Sequence, residues 1–501
     1  ILMGADPSLC GTVSFDGETI HNAPPLWAAA AAGHLDIVKY LIEIEKVQIN
    51  QTTQTNSSPL RGACYDGHLE IVKYLVEEGA DLELANRHGH TPLMIASFRK
   101  KAEVVQYLLE KGACPKKSSF KGNTALHDAA EADCYPVCEL LLEAGAELVD
   151  DDGGLCPLMG AAMMANLKVF PLLSRHCKSP LRRRDAYRIL GCTLIDKKLD
   201  IEGGVNVWKS ALNVHLTNDE EKMENSRNAL PLHPVFNGYS EVLSIEELDR
   251  LKDDPEQVKM QSLIVRQRIL GHNHTDVHYF LRLRGAVYCD QGDVSRCFDL
   301  WLYALELQQI HLGPLHISTL ATMQAFYETM ALTLDELVNE SARRPIPQDI
   351  LPFSITQVER VYHCLCHELD RLEEWGDRDL HEDCAAEGHD HDIEEEKRRV
   401  ALIALQILVL GDRLNIKLKN NQRQLNIVEL IRVCLNVKIP LLHLACWEAH
   451  RHEVLAPRAD DTKFPSTYCV EQFLSYGMKV DAVDENNQTP LHIILTNKLI
   501  R

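Results

Sequence analysis

Residues 57–75 read Ser57-Ser58-Pro59-Leu60-Arg61-Gly62-Ala63-Cys64-Tyr65-Asp66-Gly67-His68-Leu69-Glu70-Ile71-Val72-Lys73-Tyr74-Leu75. Pro-Leu opens a helix, small residues fill its packed face, Gly-His turns the chain, and an Ile-Val-x-x-Leu period begins a second helix. This pattern is typical of one ankyrin repeat. It is broken at Arg61, where the repeat usually has a structural His, and at Tyr65-Asp66, which place a ring and a carboxylate at the end of the first helix.

The same unit recurs along the first third of the chain. Its helix-opening leucines are 34, 33, 33 and 32 residues apart, which is the ankyrin period: Leu26, Leu60, Leu93, Leu126 and Leu158. The fifth unit, residues 155–173, lacks the Gly-His turn and reads as a worn boundary repeat. The sequence therefore predicts an all-α solenoid that begins with an N-terminal ankyrin domain over residues 1–178.

An insertion at residues 8–22 separates the first, truncated repeat from the second. β-Branched residues on both sides of Phe15-Asp16-Gly17 predict a hairpin finger that turns at Asp-Gly. Insertions in solenoids land on one face, which is often the binding face.

After residue 178 the ankyrin period stops, and Arg182-Arg183-Arg184 predicts a basic linker. These arginines fit a solvated helix start or an inter-domain cover better than a phosphate-binding patch. The pattern is then helical as far as residue 436. Small, aromatic and small positions follow the tetratricopeptide order twice, at Gly285, Trp301 and Ala304 and more weakly at Gly191, Trp208 and Ala211.

The sequence thus predicts a tetratricopeptide-like helical domain over residues 179–345 and a further helical region over residues 346–438. Ankyrin signals return in residues 439–501, where Leu442 and Leu491 are 49 residues apart. That spacing equals one repeat plus an insertion near residues 451–466. Because the chain starts and stops inside repeats, we expect it to be part of a longer protein.

Composition limits the function classes. A net charge of -21 argues against nucleic acid and anionic membranes as partners and favours a basic ligand. The longest apolar stretch, residues 400–410, contains Gln406 and is far shorter than the roughly 20 residues that span a bilayer. Sixteen Cys without framework spacing and no visible signal peptide indicate a cytoplasmic protein, with the nucleus as an alternative.

One cluster has zinc-ligand residue types without a zinc-ligand pattern: His363, Cys364, Cys366, His367, His381, Cys384, His389 and His391. Cys364 and Cys366 project to different faces of a helix, so they cannot readily share one ion. The acidic, His-rich run 382–396 predicts a mobile loop between helices. We expect no metal here, and a metalloenzyme would require zinc in the purified protein.

No catalytic motif is present, so we expect neither enzymatic activity nor a cofactor. The recurrent histidines fall at hydrogen-bonding positions of the repeat, where a structural role is expected: His34, His68, His127, His443 and His492.

The sharper hypothesis concerns two acidic residues. Asp66 ends a first helix and Asp16 lies on the finger, and ankyrin arrays bind ligands through these two regions. Two carboxylates suit a guanidinium, because its planar fork offers several fixed donors. The predicted pocket has aromatic walls and a carboxylate-holding end: Phe15, Trp27, Tyr65, Ser57 and Arg61. The alternative is that Asp66 caps a turn and Asp16 only shapes the hairpin.

Several motifs resemble the feminization-1 homologue family, especially its A and C types. They include Phe15-Asp16-Gly17-Glu18 in the finger and lie at residues 13–20, 23–29, 55–67, 86–91, 266–271 and 284–288. The resemblance extends over nearly the whole chain.

Members of that family are substrate receptors of cullin-2 RING ubiquitin ligases and recognise C-terminal degrons, often ending in Arg. The resemblance implies that Asp16 and Asp66 bind the Arg side chain between Phe15 and Tyr65. It also implies that Ser57 and Arg61 lie near the terminal carboxylate. The family's docking box for elongin B/C and cullin-2 is not found before Arg501, so we expect these residues to bind substrate without recruiting the ligase. The competing hypothesis is an ankyrin/tetratricopeptide scaffold without a ubiquitin role.

Overall fold

The computed structural model describes residues 6–341, 351–386, 393–413, 420–437, 439–446, 467–484 and 488–492. Its contacts divide the chain into two compact units. The first holds the residues up to Leu232 together with Tyr239–Ile269, and the second holds His233–Gly238 and the chain from Leu270 onward. The predicted domain limits at residues 178, 345 and 438 stay predictions. Within the described residues the fold is all-α apart from one hairpin, which confirms the predicted fold class.

Five helical hairpins form the ankyrin array of the first unit. Their helices are α1 Pro25–Ala31, α2 Leu35–Glu43, α3 Pro59–Asp66, α4 Leu69–Glu77, α5 Pro92–Phe98, α6 Ala102–Glu110, α7 Ala125–Glu131, α8 Tyr135–Glu143, α9 Pro157–Met164 and α10 Phe170–His176. The first helices stack in the order α1, α3, α5, α7, α9, because buried alanines such as Ala63 and Ala129 allow close approach. Helices α2, α4, α6 and α8 form the second layer.

The turn between the two helices of a repeat keeps its geometry in the fifth repeat, although the Gly-His sequence is absent there. In the repeat formed by α3 and α4, Nε2 of His68 lies 3.0 Å from the carbonyl oxygen of Ala31 in the preceding repeat. In the worn fifth unit, Ala165 adopts a φ of 56° and Asn166 Nδ2 donates to the Ala130 carbonyl at 2.8 Å. An amide therefore replaces the imidazole, and the fifth unit keeps the repeat geometry.

The insertion is an antiparallel hairpin of strands β1 Gly11–Phe15 and β2 Glu18–Ala23. Asp16 and Gly17 form its two-residue turn with φ values of 52° and 83°. Positive φ at both central positions is the type I′ geometry, whose twist matches that of paired strands. Val13 and Ile20 pack against the buried cluster of Ala23, Trp27 and Ala31, so the hairpin packs on α1.

The first unit continues without a break into longer helices. These are α11 Pro180–Lys198, α12 Ile201–Leu212, α13 Asn218–Asn228, α14 Ile245–Leu251 and α15 Pro255–Leu270, of which the last residue belongs to the second unit. Helix α11 packs on α9. Arg182 and Arg184 lie in the first turns of α11, so this stretch is not a linker, and the favoured alternative of a helix start is confirmed. They are held there by ion pairs with Asp150 and Glu224, respectively.

The second unit contains a short 3-10 helix and a series of long helices. They are Pro234–Phe236, α16 Thr275–Asp290, α17 Val294–His311, α18 Ile317–Ser341, α19 Ile355–Ala386, α20 Ile393–Arg413, α21 Asn420–Asn436, α22 Leu441–Cys446 and α23 Thr467–Ser475. The prediction of a loop over the whole run 382–396 is wrong at both ends, since α19 reaches Ala386 and α20 begins at Ile393. Glu394, Glu395 and Glu396 favour that helix start, because carboxylates are stabilised at a helix N-terminus.

The two predicted Gly-Trp hairpins have the same geometry. A Cβ atom on Gly191 would lie 2.4 Å from the ring of Trp208, whose Nε1 donates to the Arg188 carbonyl at 2.9 Å. In the second unit, a Cβ atom on Gly285 would lie 2.4 Å from the ring of Trp301. Each glycine therefore makes room for an indole on the partner helix.

Histidines of the C-terminal repeats follow the rule of the N-terminal array. His127 Nε2 lies 3.1 Å from the Leu155 carbonyl oxygen, two residues before the Pro that opens the next first helix. His443 Nε2 makes the same contact with Gln488 at 2.8 Å, two residues before Pro490. The units around His443 and Pro490 are thus neighbouring repeats. The predicted insertion at 451–466 lies outside the described residues. In the described part of the chain, no helix is long and apolar enough to cross a membrane.

Candidate functional site

The tip of the finger lies against the second ankyrin repeat. The Tyr65 hydroxyl donates a 2.6 Å hydrogen bond to Asp16 Oδ2. The ring of Phe15 meets Trp27 and Tyr65 edge-on, at centroid distances of 5.5 and 5.7 Å. These contacts place Asp16 at the end of α3, and among the described residues its second carboxylate oxygen, Oδ1, accepts no hydrogen bond.

Asp66 lies beside Tyr65 and faces a residue that the sequence interpretation missed. Arg99 places its guanidinium 4.1 Å from the centre of the Tyr65 ring, and its Nη2 lies 3.9 Å from Asp66 Oδ1. A guanidinium thus already occupies the space between this ring and this carboxylate. A signal existed in the sequence, because Arg99 follows Leu93 at the same interval at which Asp66 follows Leu60.

The other end of the patch is built around a buried hydroxyl. Ser57, only 4% exposed, accepts hydrogen bonds from Trp27 Nε1 at 3.1 Å and from Arg61 Nη1 at 3.2 Å. Its oxygen is therefore saturated as an acceptor, and its own hydrogen is left to donate. Arg61 Nε is buried without a hydrogen-bond partner among the described residues. Both groups are donors, and donors of this kind suit an anionic oxygen.

The charge state of this end depends on Asp128, which the sequence interpretation also missed. Burial, with a smaller contribution from Glu131, raises the pKa of Asp128 to about 8 against the opposing effect of Arg61. Burial likewise lowers the pKa of His90, with a smaller contribution from Arg61. Near neutral pH, Asp128 is therefore mostly protonated and His90 is neutral. The positive charge of Arg61 is then poorly compensated.

A chain of contacts connects the predicted site residues. It runs from Asp16 through Tyr65 and Phe15 to Trp27, and from there through Ser57 to Arg61. Asp66 joins it through Arg99 on the Tyr65 ring, not by a direct bond to Asp16. The patch has an acidic, aromatic end and a basic, hydroxyl-bearing end. Its role as a binding site stays a prediction.

The zinc-type cluster has a different environment. His363 Nδ1 lies 3.1 Å from Glu429 Oε2. Burial raises the pKa of Cys364 to about 12 and that of Cys366 well above its usual value, which disfavours the thiolates that bind metals. The described residues contain no group of three or more His, Cys, Asp or Glu that could hold a metal ion. His389, His391 and the side chains of His381 and Cys384 lie outside the described part.

Comparison with known proteins gives the family. A family model described as "Ankyrin repeats (3 copies)" matches residues 26–119 and 81–152. The "Sex-determining protein fem-1" of Caenorhabditis elegans is 45% identical over 100% of this chain and 77% of its own length. The chain belongs to the Fem-1 family. The Drosophila melanogaster fem-1 homolog is 39% identical over 96% of this chain and 77% of its own length.

The human "Protein fem-1 homolog C" is 37% identical over 70% of this chain and 54% of its own length. The Fem-1 resemblance drawn from the sequence is thus confirmed. Membership in this ankyrin-repeat family indicates a scaffold or adaptor protein. Three residues of the candidate site, Arg61, Tyr65 and Asp66, are also the positions at which the second helical hairpin departs from the usual ankyrin sequence.

Proposed function

We propose that this protein is a substrate-recognition subunit of a cullin-2 RING E3 ubiquitin ligase. In this proposal it binds C-terminal degrons that end in Arg and directs the proteins that carry them to ubiquitination and proteasomal degradation. The chain itself contributes recognition and no catalysis. The single observation that carries the proposal is the position of the Arg99 guanidinium, stacked on Tyr65 and next to Asp66.

That position supports recognition of a ligand arginine at the acidic end. A guanidinium is attracted to the face of an aromatic ring and forms strong hydrogen bonds with carboxylates. Asp66 lies beside the Tyr65 ring, and Asp16 is bonded to the hydroxyl of the same ring. A ligand arginine that displaces Arg99 would have both carboxylates within the same pocket. Lysine fits less well, because its ammonium lacks the planar fork.

The basic end supports recognition of the terminal carboxylate. Ser57 has a hydrogen to donate, and the Arg61 guanidinium has a buried Nε without a partner among the described residues. A peptide C-terminus bears its carboxylate and its last side chain on one Cα atom. The two ends of the patch are joined through Trp27 and Phe15, so a single terminal residue is the ligand that matches both.

Peptide binding tests the recognition step. Fluorescence anisotropy would compare an N-acetylated peptide ending in Arg with its C-terminal amide and with a Lys-ending peptide. We expect Asp16→Ala and Asp66→Ala each to weaken the Arg-ending peptide at least tenfold, the equivalent of about 1.4 kcal/mol. Asp36→Asn is the matched control, because Asp36 is exposed on the second helix of its repeat. Unchanged affinity in either Asp16→Ala or Asp66→Ala contradicts the pocket assignment.

Amidation separates a terminal degron from an internal motif. We expect the amide to bind more weakly than the free acid, since it cannot pair as a carboxylate with Arg61. Equal binding of the two would mean that an internal sequence is recognised instead. The ligase step needs the full-length gene product in cells, with a reporter that ends in Arg. Reporter loss that requires cullin-2 and Asp66 supports the proposal, whereas peptide binding without reporter loss favours the alternative, a scaffold with no ubiquitin role.

A further inference from the structure

Three consecutive arginines open helix α11, and only two of them have an ionic partner. Arg182 pairs with Asp150, and Arg184 pairs with Glu224. Arg183 forms no ion pair with any residue that the structure describes. It lies in the first turns of α11, where the helix dipole disfavours a cation. Neither an ion pair among the described residues nor the helix dipole therefore stabilises the positive charge of Arg183 at this position.

Arg183 lines a concave pocket together with a second unpaired arginine. The pocket lies among the end of α10, the start of α11 and the end of α12, and its lining includes Arg175, Tyr187, Asn213 and His215. Arg175 also forms no ion pair among the described residues. No Asp or Glu lines the pocket. The lining of this site thus contrasts with the net charge of -21 of the chain.

Fixed neutral donors complete the pocket. The Tyr187 ring packs edge-on against Phe170 at 5.0 Å, and its hydroxyl oxygen accepts from Ser174 Oγ at 3.4 Å. The hydroxyl hydrogen of Tyr187 is therefore left to donate into the pocket, and Asn213 adds an amide. An anion with several acceptor oxygens would satisfy these groups and relieve the repulsion between the two guanidiniums.

We propose that this pocket, defined by Arg175, Arg183, Tyr187, Asn213 and His215, binds the phosphomonoester group of a phosphorylated protein segment. A phosphate has three oxygens and a charge of nearly -2, so it can engage both arginines and the tyrosine at once, whereas a carboxylate has two oxygens. The pocket is shallow, since Arg175, Asn213 and His215 are exposed, and its rim includes Pro171. An extended chain fits such a site. The strongly acidic surface disfavours a membrane as the source of the phosphate.

Binding of two probes to the whole chain tests this site. The first probe is inorganic phosphate, followed by broadening of its 31P resonance. The second is a labelled peptide mixture with one phosphoserine among neutral degenerate positions, compared with its unphosphorylated counterpart by anisotropy. We expect the phosphorylated mixture to bind at least tenfold more tightly. We expect Arg175→Gln combined with Arg183→Gln to remove that preference and the broadening.

Lys168→Gln combined with Lys178→Gln is the matched control, because it removes the same charge at two exposed positions outside the pocket. It should leave the affinity within about twofold. Arg183→Lys keeps the charge at this half-buried position and should retain partial binding, which keeps the test valid if the double variant unfolds in a circular dichroism melt. Equal effects of the two double variants, or no preference for the phosphorylated mixture, would overturn the proposal.

Discussion

The hydroxyl of Tyr65 donates a 2.6 Å hydrogen bond to Oδ2 of Asp16, a residue 49 positions earlier in the chain. This bond joins the tip of the finger to the end of α3, and it raises the pKa of Tyr65 because the carboxylate stabilises the protonated phenol. The finger therefore forms part of the predicted pocket. An ankyrin repeat with Phe at this position would lack the bond.

Tyr65→Phe should loosen the finger while it keeps the aromatic contact with Phe15. A hydrogen bond to a charged group contributes about 1.5–3 kcal/mol when buried, and an exposed one contributes less. We expect the amides of residues 11–23 to exchange hydrogen faster, and the affinity for an Arg-ending peptide to fall roughly three- to tenfold. Hydrogen exchange and anisotropy measure the two effects. Wild-type exchange in the variant would show that apolar packing holds the finger without this hydrogen bond.

Removal of Arg99 should strengthen ligand binding. Its guanidinium lies on the Tyr65 ring and near Asp66, so a ligand arginine must displace it. An exposed cation–π contact contributes about 0.5–1 kcal/mol, so Arg99→Ala should raise the affinity for an Arg-ending peptide roughly two- to fivefold. Arg99→Lys keeps the charge without the planar fork and should have a smaller effect. Weaker binding by Arg99→Ala would mean that Arg99 contacts the ligand directly.

The affinity for a free C-terminal carboxylate should fall as the pH rises from about 7 to 9. Asp128, with a pKa of about 8, is mostly neutral at the lower limit and ionised at the upper one. Ionised Asp128 compensates Arg61 and repels the ligand carboxylate, so binding is coupled to proton uptake and weakens with pH. One unit charge in this setting is worth about 1–2 kcal/mol, or roughly tenfold in affinity.

His90 and Tyr65 do not account for a change of charge in this interval. The pKa of His90 lies below its ordinary value and that of Tyr65 above it. Peptide titrations at several pH values, with an acetylated peptide, measure the dependence. Asp128→Asn should remove it. The same pH dependence in Asp128→Asn, or affinity that rises with pH, would show that another group is responsible.

The ankyrin repeats and the hairpin turn could be predicted from the sequence because each depends on residues that are close together in the chain. Asp16-Gly17 predicted a hairpin turn, and the structure has a two-residue turn there with positive φ at both positions. Arg99 and Asp128 were missed for the opposite reason. Arg99 stands at the repeat position of Asp66, but its contact with Tyr65 crosses to the neighbouring repeat, which spacing alone does not show. Asp128 acts on Arg61, a residue of a different repeat, and no local pattern marks it as part of the site. The linker prediction for residues 182–184 was wrong because the acidic partners of Arg182 and Arg184 are 32 and 40 residues away in the sequence and are not visible in the local pattern.

The paired Gly-Trp hairpins allow a test of the fold that is independent of any ligand. In Gly191→Ala, the new Cβ atom would lie 2.4 Å from the Trp208 ring and 2.8 Å from the carbonyl oxygen of Gly204. A backbone oxygen cannot rotate away, so the two helices must separate, and the bond from Trp208 to Arg188 is strained. Such overpacking costs about 1–3 kcal/mol in the free energy of unfolding.

Gly160→Ala is the matched control in the same unit. Gly160 lies inside α9, and a Cβ atom there would meet nothing within 4 Å. Because alanine is favoured over glycine in a helix interior, this variant should gain up to about 1 kcal/mol. Urea denaturation followed by circular dichroism should therefore move the midpoint in opposite directions for the two variants. A higher urea midpoint for Gly191→Ala would contradict the close contact between this glycine and the Trp208 ring, and this test does not depend on any ligand.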